Sequence, residues 1–153
     1  MATYTTRIGH VHLKVRDLAR SVAFYTRTFN LKIVETVANY AFLTGGDMHH
    51  EIALQALGSG APIPSRGAVG LYHIAFEVPD ARAFALAYQL LKGDGVPVGA
   101  VDHGISWAMY FPDPDGNGLE IYWDTRHLID HSTQWNGINT ELSDAQILSA
   151  LKA

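Results

Sequence analysis

The chain has 153 residues, of which 48% are hydrophobic and 17% charged, with a net charge of −4. That is the composition of a globular chain of single-domain length, not of a disordered one. The acidic balance leaves no nucleic-acid footprint, and no apolar run approaches the roughly 18 to 20 residues that a membrane span needs. The absence of cysteine excludes disulfides, thiol nucleophiles and cysteine-based zinc sites.

Any metal must therefore be held by His, Asp, Glu, Tyr or backbone oxygen, and the eight histidines supply such donors. The opening MATYTTRIGH has no basic stretch followed by an apolar one, so a cytoplasmic location is expected.

The chain is written twice. The segment from Gly9, GHVHLKVRDLARSVAFY, and the segment from Tyr72, YHIAFEVPDARAFALAY, each run from a His through alternating apolar residues to an Asp and then a helical pattern. His10 precedes Asp17 by seven residues and His73 precedes Asp80 by seven, at a repeat offset of 63 (from 10 to 73). Such a period signals a repeated structural unit.

In chain order, each copy opens with a strand. Val11, Leu13 and Val15 alternate with Ile8, His10, His12 and Lys14, and Ile74, Phe76 and Val78 alternate with Leu71, His73, Ala75 and Glu77. Strand side chains alternate between faces, so the aliphatic set of each copy faces a helix and His10 and His73 face the other way. Asp17 and Asp80 are expected as helix N-caps, because a short acceptor satisfies a free first-turn amide. Leu18, Val22, Tyr25 and Phe29 recur at helical spacing in the first copy, and Phe84, Ala87 or Tyr88, and Leu91 in the second, with Gly93 as a stop.

Three strand-like runs follow each helix: 32–36, 40–44 and 51–57 in the first half, and 96–101, 106–111 and 119–123 in the second. Asp113-Pro114-Asp115-Gly116-Asn117-Gly118 suits a tight turn between the last two. The reading is one domain over 1–153: a first βαβββ module at about 7–57, a Gly/Pro-rich linker at 58–67, a second module at about 68–125, and a polar tail at 126–153. The tail carries a short amphipathic helix near 144–151.

The last strand sets Glu120 and Tyr122 on one face and Ile121 and Trp123 on the other. A carboxylate between apolar neighbours is costly to bury unless it is paired or bound to a cation. Two sheets side by side would gather His10, His73 and Glu120 as a metal site. Two His and one carboxylate leave open positions, the arrangement of non-haem Fe(II) oxygenases. A lone strand histidine is more often packed or solvated; repetition at matched positions is what lifts these two above that reading.

The chain resembles the vicinal-oxygen-chelate superfamily, which includes glyoxalases, bleomycin-resistance proteins, fosfomycin-resistance enzymes and extradiol dioxygenases. The motifs are Gly9-His10-x-x-Leu13-x-Val15-x-Asp17 and Phe111-x-Asp113-Pro114-Asp115-Gly116-Asn117-x-x-Glu120, and the likeness covers about residues 7–124. It implies an α+β fold in which the two βαβββ modules form a cupped, incompletely closed mixed β-sheet barrel with flanking helices, and a homodimer as assembly. Glyoxalases use four protein ligands. Aligning Glu51-Ile52-Ala53-Leu54-Gln55 with Gly118-Leu119-Glu120-Ile121-Tyr122 puts Ala53 at the fourth position, which favours a three-ligand site. A register with Glu51 as ligand remains the alternative.

Asp102-His103-Gly104-Ile105-Ser106 leading to Tyr110, ten residues before Glu120, is similar to a block of extradiol catechol dioxygenases, as is His49-His50-Glu51-Ile52-Ala53-Leu54. Those enzymes often carry four such units, against two here. The resemblance implies an Fe(II)-dependent dioxygenase (Mn(II) or another divalent ion as alternatives) acting on a small aromatic diol and O₂. His103 is the implied acid/base, Tyr110 a hydrogen-bond donor at the substrate, and His12, His50, Trp107 and Tyr122 candidate pocket residues. The competing readings are another metal-dependent member of the superfamily (a lyase, isomerase or thiol transferase) and a metal-free drug-binding protein. The His/His/Glu set argues against the last.

Overall fold

A computed structural model describes residues 4–65 and 67–152. The chain divides into two compact units, Met1–Arg66 and Gly67–Ala153, with the boundary inside the expected linker. Each unit carries one βαβββ pattern.

In the first unit, β1 (Val11–Val15) is followed by α1 (Leu18–Phe29), β2 (Lys32–Val37), β3 (Tyr40–Thr44) and β4 (Ile52–Ala56). Asp17 caps α1, its carboxylate accepting from the Arg20 amide at 2.9 Å. The helix ends where Asn30 turns left-handed, φ 54°, a conformation that Asn tolerates better than most residues. The sheet order is β1-β4-β3-β2, with β1 and β4 parallel and the rest antiparallel. Leu13, Val15, Leu43, Ile52 and Leu54 are buried with Tyr25 of α1, whose side chain is fully enclosed. Burying a side chain of this size contributes about 1.5–3 kcal/mol.

The second unit repeats the plan with β5 (Ile74–Glu77), α2 (Ala81–Gly93), β6 (Gly99–Asp102), β7 (Ser106–Pro112) and β8 (Gly118–Asp124). Asp80 caps α2 by accepting from the Ala83 amide at 2.7 Å. Phe84, Ala85, Tyr88 and Leu91 form the buried stripe of α2, which lies against β8. Phe84, Ala108, Met109, Leu119 and Ile121 build this unit's core.

The structure adds an element that the sequence pattern does not reveal. The tail supplies β9 (Thr140–Glu141), which extends the second sheet to the order β5-β8-β7-β6-β9. It then forms α3 (Asp144–Ser149), opened by a reciprocal Ser143/Gln146 capping box. Two residues carry no readable alternation, which is why the tail reads as merely polar before its helix. The first strands also start later than expected: both ladders begin one residue after the repeated histidine, at Val11 and at Ile74.

The two parallel ladders fix the correspondence between the halves. Val11 pairs with Ile52 and His12 with Ala53, while Ile74 pairs with Leu119 and Ala75 with Glu120. Ala53 therefore holds in the first unit the ladder place that Glu120 holds in the second. Across the neighbouring strand, Phe42 faces Ala53 and Tyr110 faces Glu120. Glu51 belongs instead to the loop before β4, where its carboxylate accepts from the Gly45 amide at 3.1 Å.

Candidate functional site

The turn between β7 and β8 aligns the polar residues of the second unit. One carboxylate oxygen of Asp113 accepts from the amides of Asp115 and Asn117, both at 2.8 Å, and the other accepts from the Asn117 side-chain amide at 2.8 Å. Gly116 takes the left-handed conformation the turn needs, φ 86°. With the hairpin closed this way, Pro112 pairs with Gly118 and Tyr110 falls opposite Glu120. A slip of one residue would send one of that pair to the other face.

Glu120 is 8% exposed, in the middle of β8. Its two oxygens have different partners: Tyr110 donates its hydroxyl to Oε1 at 3.2 Å, and Nε2 of His73 lies 2.8 Å from Oε2. The Tyr110 hydroxyl is also 2.8 Å from Nε2 of His103. Burial, and then the negative charge of Glu120, push the Tyr110 phenol up to about 12, so at neutral pH it is a proton-bearing donor. Nδ1 of His73 is buried and has no hydrogen-bond partner among the described residues, and Nε2 is the ring nitrogen that faces Glu120. A cleft of about 260 Å³ opens beside this pair, with Tyr72, His73, Tyr110, Pro112 and Gly118 in its wall. Tyr122, two residues along β8 on the Glu120 face, donates to Glu77 at 3.1 Å. Burial and then that hydrogen bond raise its phenol above the ordinary range.

The first unit holds His10 as an exposed residue just before β1, its ring centroid 4.6 Å from that of His50. His50 sits edge-on to Phe42 at 5.0 Å, and its Nδ1 is 2.8 Å from Nδ1 of His49. Burial first, then the neighbouring imidazoles of His10 and His49, lower the His50 pKa. His12 is exposed, with its ring 5.8 Å from that of Tyr40.

Thus His73, Glu120, Tyr110 and His103 are joined in the second unit, and His10 lies against His50, the rings tilted by 45°, in the first. Trp107 does not share the Glu120 face. It points to the helix side, edge-on to Phe84 of α2 at 6.0 Å and to Trp123 at 5.4 Å, so it is packing material for the core. Among the described residues no three His, Asp or Glu side chains form a ready metal cage. Two residues that pattern reading passed over touch His103: Asn139, whose Oδ1 is 2.6 Å from Nδ1, and Trp135, edge-on at 5.9 Å. Neither carries a local signal, since the contact spans 36 residues of chain.

The likenesses to known proteins follow the same lines. The Glyoxalase/Bleomycin resistance protein/Dioxygenase superfamily pattern matches residues 7–121. A catechol-2,3-dioxygenase of Bacillus subtilis is 35% identical over 119 residues, which is 78% of this chain but 42% of that protein. Biphenyl-2,3-diol 1,2-dioxygenase 3 of Rhodococcus globerulus is 31% identical over 87% of this chain and 71% of that one. Lactoylglutathione lyase of Salmonella typhimurium is also 31% identical, over 75% of this chain and 90% of its own. The chain thus spans less than half of the Bacillus enzyme. Among solved structures, the lactoylglutathione lyase of Agrobacterium tumefaciens matches 78% of this chain and 94% of its own with a TM-score of 0.60 at 25% identity. A domain from Frankia sp. EAN1pec matches 79% of this chain and 99% of its own, with a TM-score of 0.67 at 23% identity. Repeat, fold and pattern agree, and the chain belongs to the Glyoxalase/Bleomycin resistance protein/Dioxygenase superfamily.

Proposed function

We propose that this chain is a metal-dependent ring-cleaving dioxygenase that opens a catechol-like diol beside its two hydroxyls. The observation that carries the reading is the hydrogen-bonded line His103–Tyr110–Glu120–His73. The likeness to two aromatic-diol dioxygenases supports it. The reaction breaks the ring C–C bond beside the diol, leaves both atoms of O₂ in the ring-opened product and needs no external reductant.

His73 and Glu120, with His10 of the first unit, are the proposed ligands. The 2.8 Å between His73 Nε2 and Glu120 Oε2 puts an imidazole nitrogen and a carboxylate oxygen close enough that both would hold one divalent ion. When bound, Fe(II) or Mn(II) supplies a Lewis acid that lowers the diol pKa and gathers diol and O₂ in one complex. Tyr110 keeps its proton and offers a hydrogen bond at the substrate oxygen. His103, joined to it through Nε2, takes the diol's proton by way of the Tyr110 hydroxyl, which passes its own proton to Nε2 as it gains the diol's and so ends protonated, and returns it by the reverse relay. Ala53, at the ladder place of Glu120, offers no fourth ligand. That keeps room for both reactants.

A second reading, a lactoylglutathione lyase-like enzyme, draws on the 31% likeness at 90% coverage, and Ala53 weighs against it. The test is anaerobic loading with Fe(II), addition of catechol, and admission of air. Oxygen uptake with a yellow ring-fission product is expected. Inactivity on a panel of catechols, together with conversion of methylglyoxal and glutathione by the Ni(II) or Zn(II) form, would move the assignment to the lyase.

A further inference from the structure

We infer that Asn139, delivered by the C-terminal segment, is a positioning residue that holds the proton of His103 on Nδ1 and so confines proton exchange to Nε2, the nitrogen facing Tyr110. The catalytic consequence rests on the proposed dioxygenase reading; the assignment of the proton does not.

The placement follows from the edge strand. β9 pairs with β6 in antiparallel register, Asp102 with Thr140 and Val101 with Glu141. One step further along each strand brings His103 opposite Asn139. The His103 backbone is fixed independently, its amide donating to Ser106 O at 2.9 Å, while the Gly104 amide donates to the Asp102 carboxylate at 2.6 Å. The ring is thus held at both nitrogens, 2.6 Å from Asn139 Oδ1 and 2.8 Å from the Tyr110 hydroxyl. Trp135 closes one side of it.

A carboxamide oxygen only accepts, so the nitrogen facing it must carry a hydrogen. In neutral His103 this leaves Nε2 with a lone pair 2.8 Å from the Tyr110 hydroxyl, which can turn its one proton from Glu120 Oε1 to Nε2. When Nε2 gains a proton it donates to the Tyr110 oxygen, and Tyr110 turns its own proton to Glu120 Oε1 at 3.2 Å. Nδ1–H···O persists through both states. In imidazoles generally, the hydrogen bond at one nitrogen sets what the other can do.

A two-residue edge strand is weak alone, and the tail is anchored beyond it. Leu142 and Ile147 are buried, and the Leu142 amide donates to Ala100 O at 3.1 Å. Tyr88 of α2 donates to Asp144 at 2.6 Å. Leu142, Asp144 and Ile147, which anchor the tail, lie beyond the stretch 7–121 that carries the family pattern.

The experiment uses the full-length protein with ¹⁵N-labelled histidine. Two-bond imidazole correlation spectra identify the tautomer of His103, with its signal assigned by loss in His103→Gln. The variants are Asn139→Leu, which removes the acceptor, and Asn139→Asp, which keeps one. Wild type and Asn139→Asp are expected in the Nδ1–H form, and Asn139→Leu as a mixture or as the Nε2–H form. For Fe(II)-loaded protein with catechol, Asn139→Leu should lose about 10- to 100-fold in kcat with KM and iron content nearly unchanged, and Asn139→Asp should recover most of it. An Nε2–H signal in wild type, or an Asn139→Leu spectrum identical to wild type, overturns the proposal. A tautomer change as expected with no catechol turnover in any form supports the role of Asn139 and sinks the dioxygenase reading instead.

Discussion

Nε2 of His73 stands 2.8 Å from Oε2 of Glu120, although the two residues are 47 apart in the chain (from 73 to 120). The pairing of β5 with β8 makes the contact, with Ile74 beside Leu119 and Ala75 beside Glu120. If this pair is two thirds of a metal site, removing either donor must remove the ion. His73→Ala and Glu120→Gln are each expected to weaken Fe(II) or Mn(II) binding by more than about 100-fold, beyond the usual effect of losing an outer hydrogen-bond partner. Anaerobic metal titration with elemental analysis measures this. Stoichiometric, tight metal in His73→Ala would place the ion elsewhere.

Tyr110 is tested separately from the metal. Its phenol, pushed up to about 12 by burial and then by Glu120, is a donor at neutral pH. Tyr110→Phe keeps the ring and removes the donor. The first unit shows that a phenyl ring fits this ladder place, since Phe42 occupies it there. Stability is therefore expected to change by no more than about 1 kcal/mol, while kcat/KM on catechol falls about 100-fold, the scale of losing one donor at a reacting oxygen. Metal content should be unchanged. Full turnover in Tyr110→Phe would remove Tyr110 from the reaction.

What could be read from residues alone follows a physical divide. The βαβββ repeat was legible because alternation and helical spacing are local, and because Asp17 and Asp80 announce their helices by side chains that cap within three residues. Glu120 stood out because a mid-strand carboxylate among Leu119, Ile121 and Trp123 needs a partner. Trp107 was harder: a strand aromatic reads the same on either face, and only the register of β7 on β8 shows that it packs on Phe84. β9 and Asn139 were out of reach, because a two-residue strand has no period and its partner lies far back in the chain. The ladder equivalence of Ala53 and Glu120 is intermediate. The motif suggested it, and paired residues on the two parallel ladders fix it.

The anchoring of the tail gives a third prediction. Tyr88 is 4% exposed, and its hydroxyl donates to Asp144 of α3 at 2.6 Å. Burial and then this bond hold the phenol at about 12, so Tyr88 is a neutral donor throughout the physiological range. Tyr88→Phe should cost about 1 kcal/mol, the net worth of one such bond. The loss should appear first as faster hydrogen exchange at the amides of Leu142 and Ile147, with the amides of α1 unaffected. Uniform acceleration across the chain would mean that α3 unfolds only with the whole molecule.

Gly118 links packing to the His73–Glu120 pair most directly. A Cβ built there would collide with the carbonyl oxygen of Tyr72 and lie 3.3 Å from Cβ of His73. The first of these is backbone, so no rotamer relieves it, and the start of β5 must move. Gly118→Ala is expected to destabilise the chain by about 1–3 kcal/mol, the usual cost of overpacking. Because the displaced segment carries His73, divalent-metal affinity should fall with it, by at least about 10-fold if His73 moves out of line with Glu120. Gly99→Ala is the control: a Cβ there meets nothing within 4 Å, so it should stay within about 0.5 kcal/mol of wild type. Thermal unfolding and metal titration on the same samples separate the two effects. If Gly118→Ala binds metal as wild type does while losing stability, then the approach of Tyr72 to β8 serves packing alone, and His73 is held in place by its contact with Glu120.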